Sequence, residues 1–380
     1  MAKLRVWMKA GHTVEIIRRM LPGFTDESGI EVELDVVPER TAHDSLVRGD
    51  VPADVVTVPF WYLEELVSVG MLRPLALEQL GMSDEAFEPR ALQCLTRQGS
   101  LWAAPHTLTG AMLAYRQDVF EREGLNMPST LGDVLQAHRQ LRGHGLAVRC
   151  NPEFSSLETF AGWAAAKGIK LLPDSGVASL DDLEAGIGDL VQAMSASDRR
   201  LTTLDYAGTG ALVEKGSASL LFDTSAWSFQ FEAPGSPVRG RMAYTGIAEH
   251  APAQFLYAEG LGITAGCRDE PAARQFIAWR HSERVLRAEV EGIRRIDIPR
   301  VDLRGKEWFI DYVQSQGLST CLAAVDRSWA STDDSHVAKR ADYVTAARTL
   351  MEAISGTISG RFSSLTEAHE ITYGQRPLPE

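Results

Sequence analysis

Residues 98–141 read QGSLWAAPHTLTGAMLAYRQDVFEREGLNMPSTLGDVLQAHRQL, and the order of elements along them is the most informative feature of the chain. An apolar run ends at Pro105, the polar pair His106-Thr107 makes a turn, and a second run extends from Gly110 to Tyr115. A short helix with Asp118, Val119 and Phe120 follows. Gly124 stops it, because glycine accepts the left-handed conformation that closes a helix. Met127-Pro128-Ser129-Thr130 restarts the chain, with Thr130 as N-cap of a helix whose apolar face carries Leu131, Val134 and Leu135. Taken alone, the strand–turn–strand part is a plain hairpin.

Upstream of this stretch, residues 4–8 alternate at period two and predict a strand. Val14, Ile17, Leu21 and Phe24 fall on one face of a helix over 13–28, ended by Gly29. Residues 30–36 alternate again, a polar helix covers 41–49, and Asp54–Val58 forms a third strand. This β-α-β-α-β order opens a parallel sheet, in which ligands sit beyond the carboxyl ends of the strands. Those ends are Ala10-Gly11-His12-Thr13, Pro38-Glu39-Arg40 and Pro59-Phe60-Trp61-Tyr62. Downstream, 145–200 reads as helical with glycine breaks, 208–232 as helix–strand–helix, and 337–355 and 363–373 as helices. At 380 residues the chain exceeds one ordinary core, so two domains are expected.

Hydrophobic residues make up 44% and charged residues 23%, the balance of a soluble globular protein. Lysine and arginine number 38 against 51 acidic residues, a net charge of −13, which repels nucleic acid and anionic membrane surfaces. Cys94, Cys150, Cys267 and Cys321 show no paired spacing and read as buried thiols. Nucleophile elbow, P-loop, HExxH and dinucleotide fingerprints are missing, and the histidines have no metal-ligand spacing, so no cofactor or metal is expected. The chain enters a strand at once without a secretory leader, and no cysteine near its start suits a lipid anchor.

Five pieces, in order, resemble the bacterial extracellular solute-binding proteins of family 1, the maltose-binding-protein-like proteins that serve ABC importers. They are Ser28–Glu33 with Gly49–Val56; Gly70–Leu75; Gly99–Pro105 with Leu113–Phe120; Leu212–Trp227; and Gly260–Ala265 with Glu270–Trp279, Ser282 and Ile298-Pro299-Arg300. Ala103-Ala104 replaces the family's Gly-Val, and Leu131 its tryptophan. The resemblance implies an α/β, two-lobed periplasmic binding protein fold of type II-like topology, hinged, with ligand in the interlobe cleft. It implies lobes formed by 1–107 with 257–310 and by 108–256 with 311–380, the chain crossing near 104–112, 256–260 and 305–312. It also implies a monomer outside the cytoplasm that binds a small solute, carbohydrate favoured, hands it to ABC permease subunits, and is not an enzyme.

Each candidate residue carries two readings. Trp61, Tyr62 and Trp227 offer flat faces for a sugar ring or pack in a core; in the family the tryptophan matching Trp227 often lines the sugar site. On that reading Trp227→Ala weakens binding with little loss of fold. Trp329 sits in a polar loop, against ligand or the other lobe. His12 donates to a hydroxyl or belongs to a helix-capping turn with Thr13. His106 and Thr107, in the crossover turn, meet ligand or solvent, and Asp223 stands four residues before Trp227. Arg40 and Arg295 are the natural partners of an acidic solute or else form surface ion pairs, and Tyr257 reaches ligand or packs the hinge. Cys150 and His106 are the suspects if the scaffold is enzymatic.

Overall fold

The structure is a computed structural model describing residues 2–11, 13–174, 176–197, 199–247, 255–330 and 339–373. Among the described residues, eleven strands are numbered in chain order: β1 (Ala2–Lys9), β2 (Ile30–Val37), β3 (Val55–Pro59), β4 (Leu72–Arg73), β5 (Thr96–Arg97), β6 (Ser100–Leu101), β7 (Ala104–Arg116), β8 (Leu146–Ala147), β9 (Leu220–Thr224), β10 (Met242–Thr245) and β11 (Leu256–Thr264). The chain divides into two compact units. Unit 1 is Met1–Leu108, Tyr257–Leu318 and Val337–Ala341; unit 2 is Thr109–Leu256, Ser319–His336 and Asp342–Glu380.

In unit 1 the strand order is β2-β1-β3-β11, parallel through β3, with β11 antiparallel to β3 and β4 antiparallel to β11. Alternation in β1 sends Leu4, Val6 and Met8 into the core, while Arg5 reaches across to Glu33, its register partner on β2. The helix Thr13–Ser28 covers the sheet with Val14, Ile17 and Phe24; Phe24 meets Phe276 at 5.8 Å and Trp279 at 5.0 Å between ring centroids. Gly29, at φ +71°, ends this helix in the conformation that a side chain resists. A Cβ on Gly260 would lie 2.5 Å from the Ala104 carbonyl oxygen, so glycine is what lets β11 lie this close to the start of β7.

In unit 2, β7 lies between β10 and β9, antiparallel to both, and β8 runs parallel to β9. The helix Leu157–Ala166 packs on this sheet, with Trp163 edge-on to Phe222 at 5.1 Å. The helix Leu131–Gln140 begins at Thr130 as expected, and the cap is reciprocal: the Thr130 hydroxyl accepts from the Asp133 N–H while the Asp133 carboxylate accepts from the Thr130 N–H.

Three features differ from the sequence reading. His106-Thr107 is no turn: β7 is one continuous strand of 13 residues, because Arg295 donates to the His106 carbonyl at 2.6 Å and to the Thr107 hydroxyl at 2.6 Å, replacing the water that a turn would use. Trp329 lies in the helix Ser319–Ala330, buried, and not in a polar loop. The chain leaves unit 1 after Leu318 rather than within 305–312, since the helix Glu307–Ser315 buries Phe309 and Val313 there, so 311–318 and 337–341 fall in unit 1.

Candidate functional site

The carboxyl ends of β1 and β3 in unit 1 gather a chain of polar side chains. Lys9, last residue of β1, donates to the Tyr257 hydroxyl at 2.9 Å and pairs with Glu39 at 3.3 Å and Glu259 at 3.6 Å. Glu259 is held because its residue lies in register with Pro59 at the end of β3. Its carboxylate accepts from the Tyr257 hydroxyl and, at 3.2 Å, from the Thr107 hydroxyl, which itself accepts from Arg295. Aromatic rings flank this chain: Trp61 lies 4.8 Å and Phe60 6.1 Å from Tyr257, centroid to centroid.

A buried layer of charge backs it. Arg280 and Glu289, both fully buried, pair at 2.7 Å, and Arg295 lies 3.6 Å from Glu289 and 3.5 Å from Asp297. Burial lowers the Arg280 pKa, with Glu289 working against it, and raises that of Asp297 against the pull of Arg295. Isolated, any one of these charges would cost several kcal/mol; together they hold the polar chain in place. His106 is buried too, and burial, then the Arg280 and Arg295 charges, holds its ring well below the ordinary histidine range, so it stays neutral.

Unit 2 assembles a different set beyond β8 and β9. Arg149 makes a bidentate pair with Asp223, at 2.6 and 2.9 Å, and also donates to Glu158. Burial opposes its charge, but the two carboxylates outweigh that and raise its pKa. The guanidinium lies 5.6 Å from the Tyr206 ring centre, and Tyr206 stacks on Trp227 at 3.9 Å with 14° between planes. Trp227 packs so closely on the helix Tyr206–Glu214 that a Cβ on Gly210 would lie 2.1 Å from its ring.

The structure thus brings Trp61, Tyr62, His106, Thr107, Tyr257 and Arg295 together in unit 1 and Asp223 with Trp227 in unit 2. Trp61 and Tyr62 are buried in the helix Phe60–Ser68; the Trp61 indole donates to the Glu39 carboxylate at 3.2 Å and the Tyr62 hydroxyl to the Glu39 carbonyl at 3.3 Å. Arg295 is not an open anion receptor: its fork is engaged by Thr107, the His106 carbonyl, Glu289 and Asp297. Arg40 is exposed in the first turn of Glu39–Arg48. Trp329 belongs to unit 2, and His12 lies outside the described residues. Cys150 is buried, and burial pushes its thiol up to about 12, which leaves no thiolate for nucleophilic chemistry at neutral pH.

Sequence reasoning missed Lys9, Arg149, Glu158 and Tyr206. Lys9 obeys the strand-end rule applied to its neighbours. Arg149 was hidden because β8 is only two residues long and lies inside a stretch read as helical.

Residues 10–283 match the family model described as bacterial extracellular solute-binding protein, and the chain belongs to that family. The fold is that of its two-lobed α/β members. An ABC transporter solute-binding protein from Agrobacterium vitis S4 with bound D-mannitol is similar at TM-score 0.84 and 18% identity, over 99% of this chain and 98% of that one. Maltose-bound MalE3 of T. maritima is similar at TM-score 0.81 and 16% identity, over 98% and 99%. A solute-binding protein from Agrobacterium radiobacter K84 in complex with ribitol is similar at TM-score 0.84 and 16% identity, over 98% of each chain. No curated protein matches the chain. Its family binds solutes for ABC transport outside the cytoplasm and is not a family of enzymes.

Proposed function

We propose that this chain captures a hydroxyl-rich small solute, a sugar or polyol, for an ABC importer, and that it works as a periplasmic or surface-held monomer. The observation that carries this reading is the meeting of Lys9, Glu39 and Glu259 with the Trp61 and Tyr257 rings at the strand ends of unit 1. Carboxylates accept from vicinal hydroxyls, an ammonium donates to them, and ring faces or edges cover the C–H surface of a sugar. The structures bound to mannitol, ribitol and maltose support the same class of ligand. In unit 2 the half-buried Tyr206, held by Trp227 and Arg149, is the proposed contact, with Asp223 and Trp227 behind it as positioning residues. Solute shifts the population toward the form that the permease recognises.

Thermal melts against sugars, polyols, sugar acids, polyamines and amino acids test the reading. A ligand at 100 times its dissociation constant adds about 2.7 kcal/mol, so the melting temperature rises visibly. A rise with sugars or polyols is expected; a rise only with amino acids or polyamines overturns the proposal.

A further inference from the structure

Glu39 and Glu259 share one cation. Among the described residues the only lysine or arginine in ion-pair distance of either carboxylate is Lys9, at 3.3 Å from Glu39 and 3.6 Å from Glu259. The side chains of Lys9, Glu39 and Glu259 remain 30%, 16% and 13% exposed, so the set is open to a solute. Arg295 reaches Glu259 only through the Thr107 hydroxyl and lies against Glu289 and Asp297, and Arg280, which also feels the Glu259 charge, pairs with Glu289.

A second observation comes from His106, which is 2% exposed and points into the same set. Its Nδ1 lies 3.0 Å from the Thr107 hydroxyl, and its Nε2 lies 3.9 Å from Glu259 Oε1 with no hydrogen-bond partner. Thr107 takes a hydrogen from Arg295 and has one of its own, within reach of both Glu259 and His106 Nδ1. Lys9 supplies one positive charge for two carboxylates, and a second ammonium, with three hydrogens to donate, offsets the carboxylate left unmatched.

We infer that the solute carries a protonated amine on its hydroxylated frame, as an amino sugar does, and that Glu259 with Glu39 recognises it. This rests on the sugar-or-polyol reading and narrows it. It also argues against an acidic solute, because Arg295, the natural partner for one, is already matched by buried carboxylates.

The test is calorimetric titration and melting of the full chain against matched triads at neutral pH: glucosamine, glucose and glucuronate, then the galacto and manno series. The amine is expected to bind about tenfold or more tightly than its hydroxyl parent, since charge-assisted hydrogen bonds are roughly twice as strong as neutral ones. Added salt should narrow the gap. Glu259→Gln should bring amine and parent toward equal affinity, and Lys9→Met, which removes the competing ammonium, should widen the preference. Equal affinities in the wild type, a uronate preference, or a preference unmoved in both variants overturns the inference and leaves the sugar reading intact. Failure of every saccharide to shift the melt removes the sugar reading itself, and the inference with it.

Discussion

The two units solve the same problem with different chemistry. Both place candidate recognition groups beyond the ends of sheet strands, and both bury arginine. In unit 1 the buried Arg280–Glu289–Arg295–Asp297 layer sits behind a half-exposed chain of hydrogen bonds from Lys9 to Thr107. In unit 2 the buried arginine, Arg149, is itself next to the half-buried ring of Tyr206, with Asp223 and Glu158 holding it. Hence unit 1 offers directional donors and acceptors, while unit 2 offers a rigid aromatic stack. In both units the buried ion pairs act as positioning devices. Pairing with carboxylates offsets part of a buried guanidinium's desolvation cost, whereas the same group left alone would cost several kcal/mol.

The largest expected effect breaks the unit 2 stack. Trp227 is 1% exposed and lies between Tyr206 and Phe231, so Trp227→Ala is expected to cost about 3–5 kcal/mol of folding stability, by chemical denaturation. The sequence alone suggested a substitution that spares the fold; burial reverses that. A loss below about 1 kcal/mol would show that the stack is loosely packed.

A middle-sized effect belongs to unit 1. His106 stays neutral in the fold, while in the unfolded chain it takes up a proton near pH 6.5. Acid therefore favours unfolding: this contribution is whole above pH 6.5 and is lost as pH falls from there toward the depressed folded value, at about 1.4 kcal/mol per unit. Urea midpoints at pH 7.5 and 5.5 measure it, and His106→Gln should remove that share of the slope. An unchanged slope would place a charged ring in the folded state.

The smallest effect serves as a control outside both sets. Thr130→Ala removes one half of the capping box and should cost about 1 kcal/mol in stability, with solute affinity unchanged. Altered affinity would tie this helix start to the site.

Much of the fold was legible because local chemistry dictates it. The β-α-β-α-β opening follows from period-two alternation in β1 and β2 and from the helical spacing of Val14, Ile17 and Phe24. Gly29 and Gly124 end helices at positive φ where expected. Legibility failed where a partner distant in sequence supplied the missing bond. His106-Thr107 reads as a turn until Arg295 is present to satisfy it, and Arg149 is an ordinary arginine until Asp223, 74 residues on, takes its fork.

The family, the order of elements, the excess of acidic residues and the aromatic strand ends were readable from the residues alone, since each depends on neighbours within a few residues or on composition. Which polar groups meet is a property of the folded chain. That Lys9 stands between Glu39 and Glu259, that Arg295 is already engaged, and that Trp227 is buried against Gly210 all depend on contacts across long sequence separations. Ion pairing and burial are set by distance in space, and only packing brings residues so far apart in sequence within a few ångströms.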